Sequence, residues 1–260
     1  MTNLIDSQFI KRGITATILI SSSYNIIFTL PSCFVYLIVP IVSTIAYNEF
    51  RNLHLEDNTL YSIQNAYNLC ILLYTYYTAI FQSHLQPFVL TNIILIKSIS
   101  LIISPVELYK NIGEFYQDLY GVIYTIYLPS YFILIYDTSG IQLWYDILAV
   151  GLFDIGGYIV GRYIGNTKFS KYSPKKSIEG VFGGAAACSL FCYYTCAYSI
   201  KRLCLLMFLS LIGDLFESYI KRSNNKKDSG TIIYGHGGIL DRMDGYIFTM
   251  YALHTYNNSM

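Results

Sequence analysis

Three carboxylates lie inside apolar runs in the C-terminal half of this 260-residue chain: Asp154, Asp214 and Glu217. At the centre of a lipid-facing helix each would cost about 2.5–3.5 kcal/mol, so each is expected to face a polar interior. Pairing with basic residues, which would only lock helices together, is the competing explanation, strongest for Glu217. Asp214 opens the run Asp214-Leu215-Phe216-Glu217-Ser218-Tyr219-Ile220-Lys221-Arg222. In a helix, Asp214, Ser218 and Lys221 share one face. That face carries a carboxylate, a hydroxyl and an ammonium. Carboxylates hold Mg²⁺, and Lys and Arg neutralise phosphate oxygens, so the pattern suits a phosphate–metal site at the mouth of a membrane cavity.

The segment that follows contains Lys226-Lys227-Asp228-Ser229-Gly230 and then Gly235-His236-Gly237-Gly238-Ile239-Leu240-Asp241-Arg242-Met243-Asp244. A lysine pair beside a membrane is by default a contact for anionic lipid. Adjacent glycines let the backbone approach a ligand and present N–H groups to phosphate oxygens. Asp241 and Asp244 put two carboxylates at the start of a last apolar segment, one available for metal and the other to orient Arg242. His236 reads as a hydrogen-bonding group rather than an acid–base catalyst. Cys188, Cys192 and Cys196 are at helical spacing, but no His or acidic residue joins them, so helix packing explains them better than a metal. Gly156 to Gly161 has the glycine gap of a P-loop, but Arg162-Tyr163 replaces the required Lys-Ser/Thr.

The elements that position these residues follow from composition. Hydrophobic residues make up 54% and charged residues 13%, against about 25% charged in a soluble protein, and mean hydropathy is +0.43. So few charges cannot cover a soluble surface, and a net charge of +1 excludes the basic face of a nucleic-acid binder. The chain reads as an all-α, polytopic integral membrane protein. With about 20 apolar residues per span, the segments are 13–29, 31–47, 64–82, 87–105, 117–136, 143–162, 179–198, 202–219 and 244–258, giving eight or nine transmembrane helices. This threading puts fourteen of the seventeen basic residues on one side, with Lys201 and Arg202 on the other and Lys97 inside a span. The basic side is cytoplasmic and holds the N-terminus and both long polar loops. The chain reads as a single membrane domain, residues 1–260. Residues 1–140 are mostly plain apolar spans, and the functional groups fall in 141–260. Neither parallel nor inverted repeats are visible, which argues against a transporter.

Residues 218–244 resemble the signature of the phosphatidate cytidylyltransferases, the CDP-diacylglycerol synthases: Ser-Tyr-Ile-Lys-Arg, Lys-Asp-Ser-Gly, then His-Gly-Gly-Ile-Leu-Asp-Arg-Met-Asp. Tyr234 stands where that family has Pro or Gly. Upstream, Phe153-Asp154-Ile155-Gly156-Gly157-Tyr158 is similar to the family's Asp-containing sixth-helix segment. Ser173-Pro174-Lys175-Lys176-Ser177-Ile178-Glu179-Gly180 is similar to its Ser-Pro-Lys-Lys-Thr-x-Glu-Gly loop. The motif resemblance covers about 150–245.

The resemblance implies a specific reaction, in which CTP and phosphatidic acid give CDP-diacylglycerol and pyrophosphate with Mg²⁺, and it allows a second cation. Its metal-binding aspartates correspond to Asp214 and Asp241, which with Lys221 form the implied catalytic set. Ser218, Arg222, Lys227, Asp228, His236, Gly237, Gly238 and Arg242 would bind substrate phosphates, supported by Asp154, Lys175, Lys176 and Asp244. The resemblance also implies a homodimer, and the short chain suggests a bacterial form in the inner (plasma) membrane. A CTP-dependent polyprenol kinase is the nearest alternative enzyme.

Overall fold

The computed structural model describes residues 17–258 apart from 19, 55–60, 104–111, 197 and 233–236. Among these residues the chain is mostly helical, with an isolated antiparallel bridge between Lys168 and Ser177 and no strand. Its helices are α1 (17–28), α2 (Ser32–His54), α3 (Tyr61–Phe81), α4 (Gln86–Ile103), α5 (Ile112–Val122), α6 (Tyr131–Thr138), α7 (Gly140–Tyr163), α8 (Ile178–Thr195), α9 (Ile200–Ser223) and α10 (Leu240–Asn258). A π turn (Ile123–Tyr127) and a 3₁₀ turn (Leu128–Ser130) join α5 to α6 as one rod. Pro129 lacks the N–H that a regular α-helix needs there. The described residues thus form nine rods at the places the hydropathy pattern predicts. Four of them, Ser32–His54, Ile112–Thr138, Gly140–Tyr163 and Ile200–Ser223, are long and apolar enough to cross a membrane on their own composition. The others are shorter or carry polar residues needed inside.

Side-chain distribution supports a lipid environment. Leu37, Leu73, Leu95, Phe182, Leu190 and Phe208 are exposed, whereas Glu49, Lys97, Asp146, Arg202 and Glu217 are buried. A water-facing surface would reverse that order. Cys188 and Cys192 are buried on α8 and Cys196 is exposed, so packing accounts for the first two.

Both halves contribute to one core. Phe50 of α2, Tyr120 and Tyr124 of the α5–α6 rod, Phe216 of α9 and Phe248 of α10 form a ladder of rings with centroids 5.4–6.2 Å apart. The N-terminal half is less plain than its hydropathy suggests. Lys97 on α4 pairs with Asp118 on α5 at 2.6 Å and hydrogen-bonds Asn68 on α3, while the Tyr47 hydroxyl donates to Asp118 at 2.5 Å. The lysine expected alone within a span is therefore neutralised by a carboxylate one helix away.

Close helix approach sets up the C-terminal half. A Cβ on Gly184 of α8 would lie 2.4 Å from the Phe153 carbonyl of α7, and one on Gly213 of α9 would lie 2.1 Å from the Asp244 carbonyl of α10. Small residues allow such contacts between membrane helices. α7 and α9 run toward the same end of the bundle and α10 runs back. At the far end, Arg202 of α9 binds both carboxylate oxygens of buried Asp146 on α7, at 2.9 and 2.8 Å, and donates to Asn257 of α10. The Tyr198 hydroxyl donates to the same Asp146 at 2.6 Å.

Candidate active site

The other end of the bundle gathers the chemistry. α8 begins at Ser177, whose hydroxyl accepts from the Gly180 N–H at 3.1 Å. This N-cap fixes the preceding Ser173–Lys176 loop against α7 and α9. The Lys176 ammonium ion-pairs with Asp214 of α9. A cavity of about 250 Å³ opens here, lined by Asp154, Ser173, Lys175, Lys176, Ser177 and Asp214 among others. That lies just below the range of about 300–1,000 Å³ for ligand pockets, so it suits a phosphate-bearing portion of a ligand. Asp154 feels the charges of Asp214, Lys176 and Arg242, and Asp244 feels those of Asp214, Glu217 and Asp154. Three acids from three helices, Asp154, Asp214 and Asp244, thus share one electrostatic neighbourhood, made possible by the close α9–α10 packing at Gly213.

A second cluster lies beside the first. The Lys221 ammonium sits between Glu217, one turn back on α9, and Asp241 on α10, at 2.5 Å from each. The other oxygen of Asp241 accepts from the Ser229 N–H and hydroxyl, both at 2.9 Å, and from the Gly238 N–H at 2.7 Å. Gly237 has φ +82°, a left-handed turn that aims the Gly238 N–H back at this carboxylate.

The residues singled out from sequence are therefore brought to one end of the bundle in two groups. Asp214 meets Lys176 from the preceding loop, not Lys221. Lys221 bridges two carboxylates instead of presenting a free ammonium, and the Gly238 N–H is turned to Asp241. Ser218 is half-buried on α9. Arg222 donates to the Lys226 carbonyl at 3.0 Å and is exposed, as are Lys227, Asp228, Lys175 and Arg242. His236 and Tyr234 lie outside the described residues. Sequence reasoning missed Glu49 of α2, which accepts from the N–H groups of Ile239 at 3.0 Å and Leu240 at 2.8 Å. Its one signal was an acid at the end of an apolar run with no cap to make nearby.

For a hard divalent cation the donor chemistry fits. Asp154, Asp214 and Asp244 offer carboxylate oxygens, and the ammonium of Lys176 already lies against Asp214 as a counter-charge. No three acidic, His or Cys side chains among the described residues form a closed metal cage. Mg²⁺ needs none, since it commonly binds through one or two carboxylates and completes its shell with water and substrate phosphates.

A second cavity, of about 350 Å³, lies on a neighbouring face of α7. Its walls are apolar, among them Val39, Val42, Ile147, Leu152 and Ile155, and Arg242 also lines it.

The profile of a family described as the cytidylyltransferase family matches residues 10–260, and so takes in the N-terminal half that the motifs did not reach. A phosphatidate cytidylyltransferase of Synechocystis is 43% identical over 106 residues, 37% of this chain and 36% of that protein. One from Helicobacter pylori is 35% identical over 126 residues, 45% of this chain and 47% of its own. One from Staphylococcus epidermidis is 35% identical over 164 residues, 58% of this chain and 63% of its own. The chain thus spans about half the length of the curated relatives it matches.

Proposed function

The chain belongs to the cytidylyltransferase family, and on that footing we propose that it transfers the cytidylyl group of CTP to phosphatidic acid. The observation that carries this reading is the placement of two cavities on two faces of one helix. α7 turns Asp154, Gly157 and Tyr158 to the polar cavity and Ile147, Gly151, Leu152 and Ile155 to the apolar one. Arg242 lines the apolar cavity and acts electrostatically on Asp154 in the polar one. A water-soluble triphosphate and an acyl-chain phosphate can therefore approach the same charges from different sides.

In this reaction a phosphate oxygen of the lipid attacks the α-phosphorus of CTP. The new P–O bond forms as the bond to the β-phosphate bridging oxygen breaks, and pyrophosphate leaves with that electron pair. Two anions must meet, so charge neutralisation dominates the barrier. Arg242 holds the lipid phosphate at the head of the apolar cavity. Lys175 and Lys176 receive the phosphates of the nucleotide in the polar cavity, with Arg222 and Lys227 at its approach. Lys221 acts through Asp241, holding it in place together with Ser229 and Gly238. A phosphate monoester is already ionised near neutral pH, so no strong general base is needed. Mg²⁺, when bound, would neutralise charge on the reacting phosphates. Asp214 and Asp241 are the carboxylates that the motif resemblance assigns to it, and Asp244 shares the surroundings of Asp214.

The bundle end with the site would face the cytoplasm of a bacterial inner membrane, and the chain would pair as a homodimer. The activity test uses CTP labelled separately in the cytosine ring and in the γ-phosphate, with vesicles containing phosphatidic acid. Cytosine label should enter the lipid and γ-label should leave as pyrophosphate. Entry of γ-label into a lipid alcohol, or of neither label into lipid, would refute the reading.

A further inference from the structure

Four consecutive N–H groups at a helix start lack intrahelical partners. At α10 two N–H groups at this end, those of Ile239 and Leu240, donate to a carboxylate that comes from a helix about 190 positions earlier in the chain. Glu49 is buried, 4% exposed, and the Ser229 hydroxyl, whose proton goes to Asp241 at 2.9 Å, lies 3.5 Å from it. One turn further along α2, the Asn52 carbonyl accepts from the Lys226 ammonium at 2.5 Å. The last turns of α2 thus hold the segment before α10 at both of its ends.

The glycines of that segment fit the same account. A Cβ on Gly230 would lie 2.4 Å from a Glu49 carboxylate oxygen, and its three nearest atoms all belong to Glu49. A Cβ on Gly238 would lie 2.4 Å from the other Glu49 oxygen and 2.5 Å from the Ser229 hydroxyl. Neither glycine has positive φ, so conformation does not demand them. Space for a buried carboxylate does.

We infer that Glu49 is a positioning residue. Its carboxylate caps α10 and sets the geometry of the Gly238–Leu240 turn, so that Asp241 is held against Lys221 and Asp244, one turn on, is kept in the surroundings of Asp214. A negative charge at a helix N-terminus is favourable, and two backbone N–H donors compensate its burial. Gly230 and Gly238 make room for this group rather than for a substrate phosphate. The catalytic consequence rests on the proposed cytidylyl transfer, whereas the capping geometry is independent of it.

Two measurements test this. The first is amide hydrogen exchange in detergent micelles on the full chain and on Glu49→Ala and Glu49→Gln. Exchange over 237–242 should accelerate at least about tenfold in Glu49→Ala and less in Glu49→Gln, with α7 unchanged. Unchanged exchange over 237–242, or equal acceleration throughout the bundle, would overturn the inference. Glu49→Gln decides the matter alone if the alanine variant does not accumulate.

The second is a double-mutant cycle of Glu49→Ala and Gly230→Ala on kcat. Each single change should lower kcat, by up to about 100-fold for a displacement near 1 Å. The double variant should be no worse than Glu49→Ala, because the added methyl then has room. Multiplying losses would overturn the assignment of Gly230 to Glu49. Should the parent protein transfer no cytidylyl group, the proposed reaction fails while the exchange measurement still decides the cap.

Discussion

Asp214 and Asp241 carry the same chemistry in the motif but sit in different surroundings, so their asparagine variants should separate. Asp214 pairs with Lys176, and both side chains are about a quarter exposed, at 26% and 23%. Ion pairs of that kind contribute about 0–1 kcal/mol to stability. Asp241 and Lys221 are only 9% and 11% exposed, and Asp241 also accepts three hydrogen bonds from Ser229 and Gly238. Asparagine leaves Lys221 paired with Glu217, but its single acceptor oxygen cannot serve Lys221, Ser229 and Gly238 together, and each lost hydrogen bond to a charged group is worth about 1.5–3 kcal/mol. At about 2–4 °C per kcal/mol for a chain near this size, Asp241→Asn should melt on the order of 10 °C lower, and Asp214→Asn within about 4 °C of the parent. Both should lose turnover, because losing charge stabilisation worth several kcal/mol amounts to at least a 100-fold fall. The assay is thermal unfolding of the purified proteins in detergent, followed by CTP-dependent turnover below both transitions. Equal melting of the two variants would refute the division into two clusters. Near-normal turnover in Asp214→Asn would remove Asp214 from the chemistry.

Three further outcomes follow from the packing. Lys176→Met should raise the KM for CTP about tenfold, the equivalent of 1.4 kcal/mol, with melting nearly unchanged; steady-state kinetics checks this. Gly151→Leu would project a side chain into the apolar cavity, where the nearest atom to a Cβ is the Tyr246 hydroxyl at 3.6 Å. The KM for phosphatidic acid should rise about tenfold while that for CTP stays put, measured in mixed micelles of varied lipid fraction. Lys97→Met leaves Asp118 without its ammonium and should cost about 3–5 kcal/mol, with turnover per folded molecule retained, as read from melting and active-site-normalised rates.

The helices were legible because hydropathy reports burial in lipid directly, and even the short, polar α10 was marked by the signature at its start. The clustering of Asp154, Asp214 and the lysine loop at one bundle end was legible too, since charges inside apolar runs have few places to go. What remained hidden was partnership. Asp214 and Lys221 share a helix face by spacing, yet Lys221 turns one turn back to Glu217 and across to Asp241. Lys97 looked isolated because Asp118 lies on another helix. Glu49 looked like an ordinary acid at a helix end because the N–H groups it serves are brought to it only by the folded bundle. Helical periodicity encodes which way a side chain points, not which helix stands opposite.

The charged knot at the far end of the bundle acts as a ruler for the site. Arg202 and Asp146 tie α9 to α7, and Arg202 also ties α9 to Asn257 of α10. From Asp146 to Asp154 is eight residues, about 12 Å along α7, and from Arg202 to Asp214 is twelve, about 18 Å along α9, at 1.5 Å per residue. Smooth apolar helices could otherwise slide past one another by a turn, about 5.4 Å, at little cost in buried area. The knot makes any such slip break a buried ion pair. The depth at which the acids of α7 and α9 meet is thus measured out from the opposite end of the bundle.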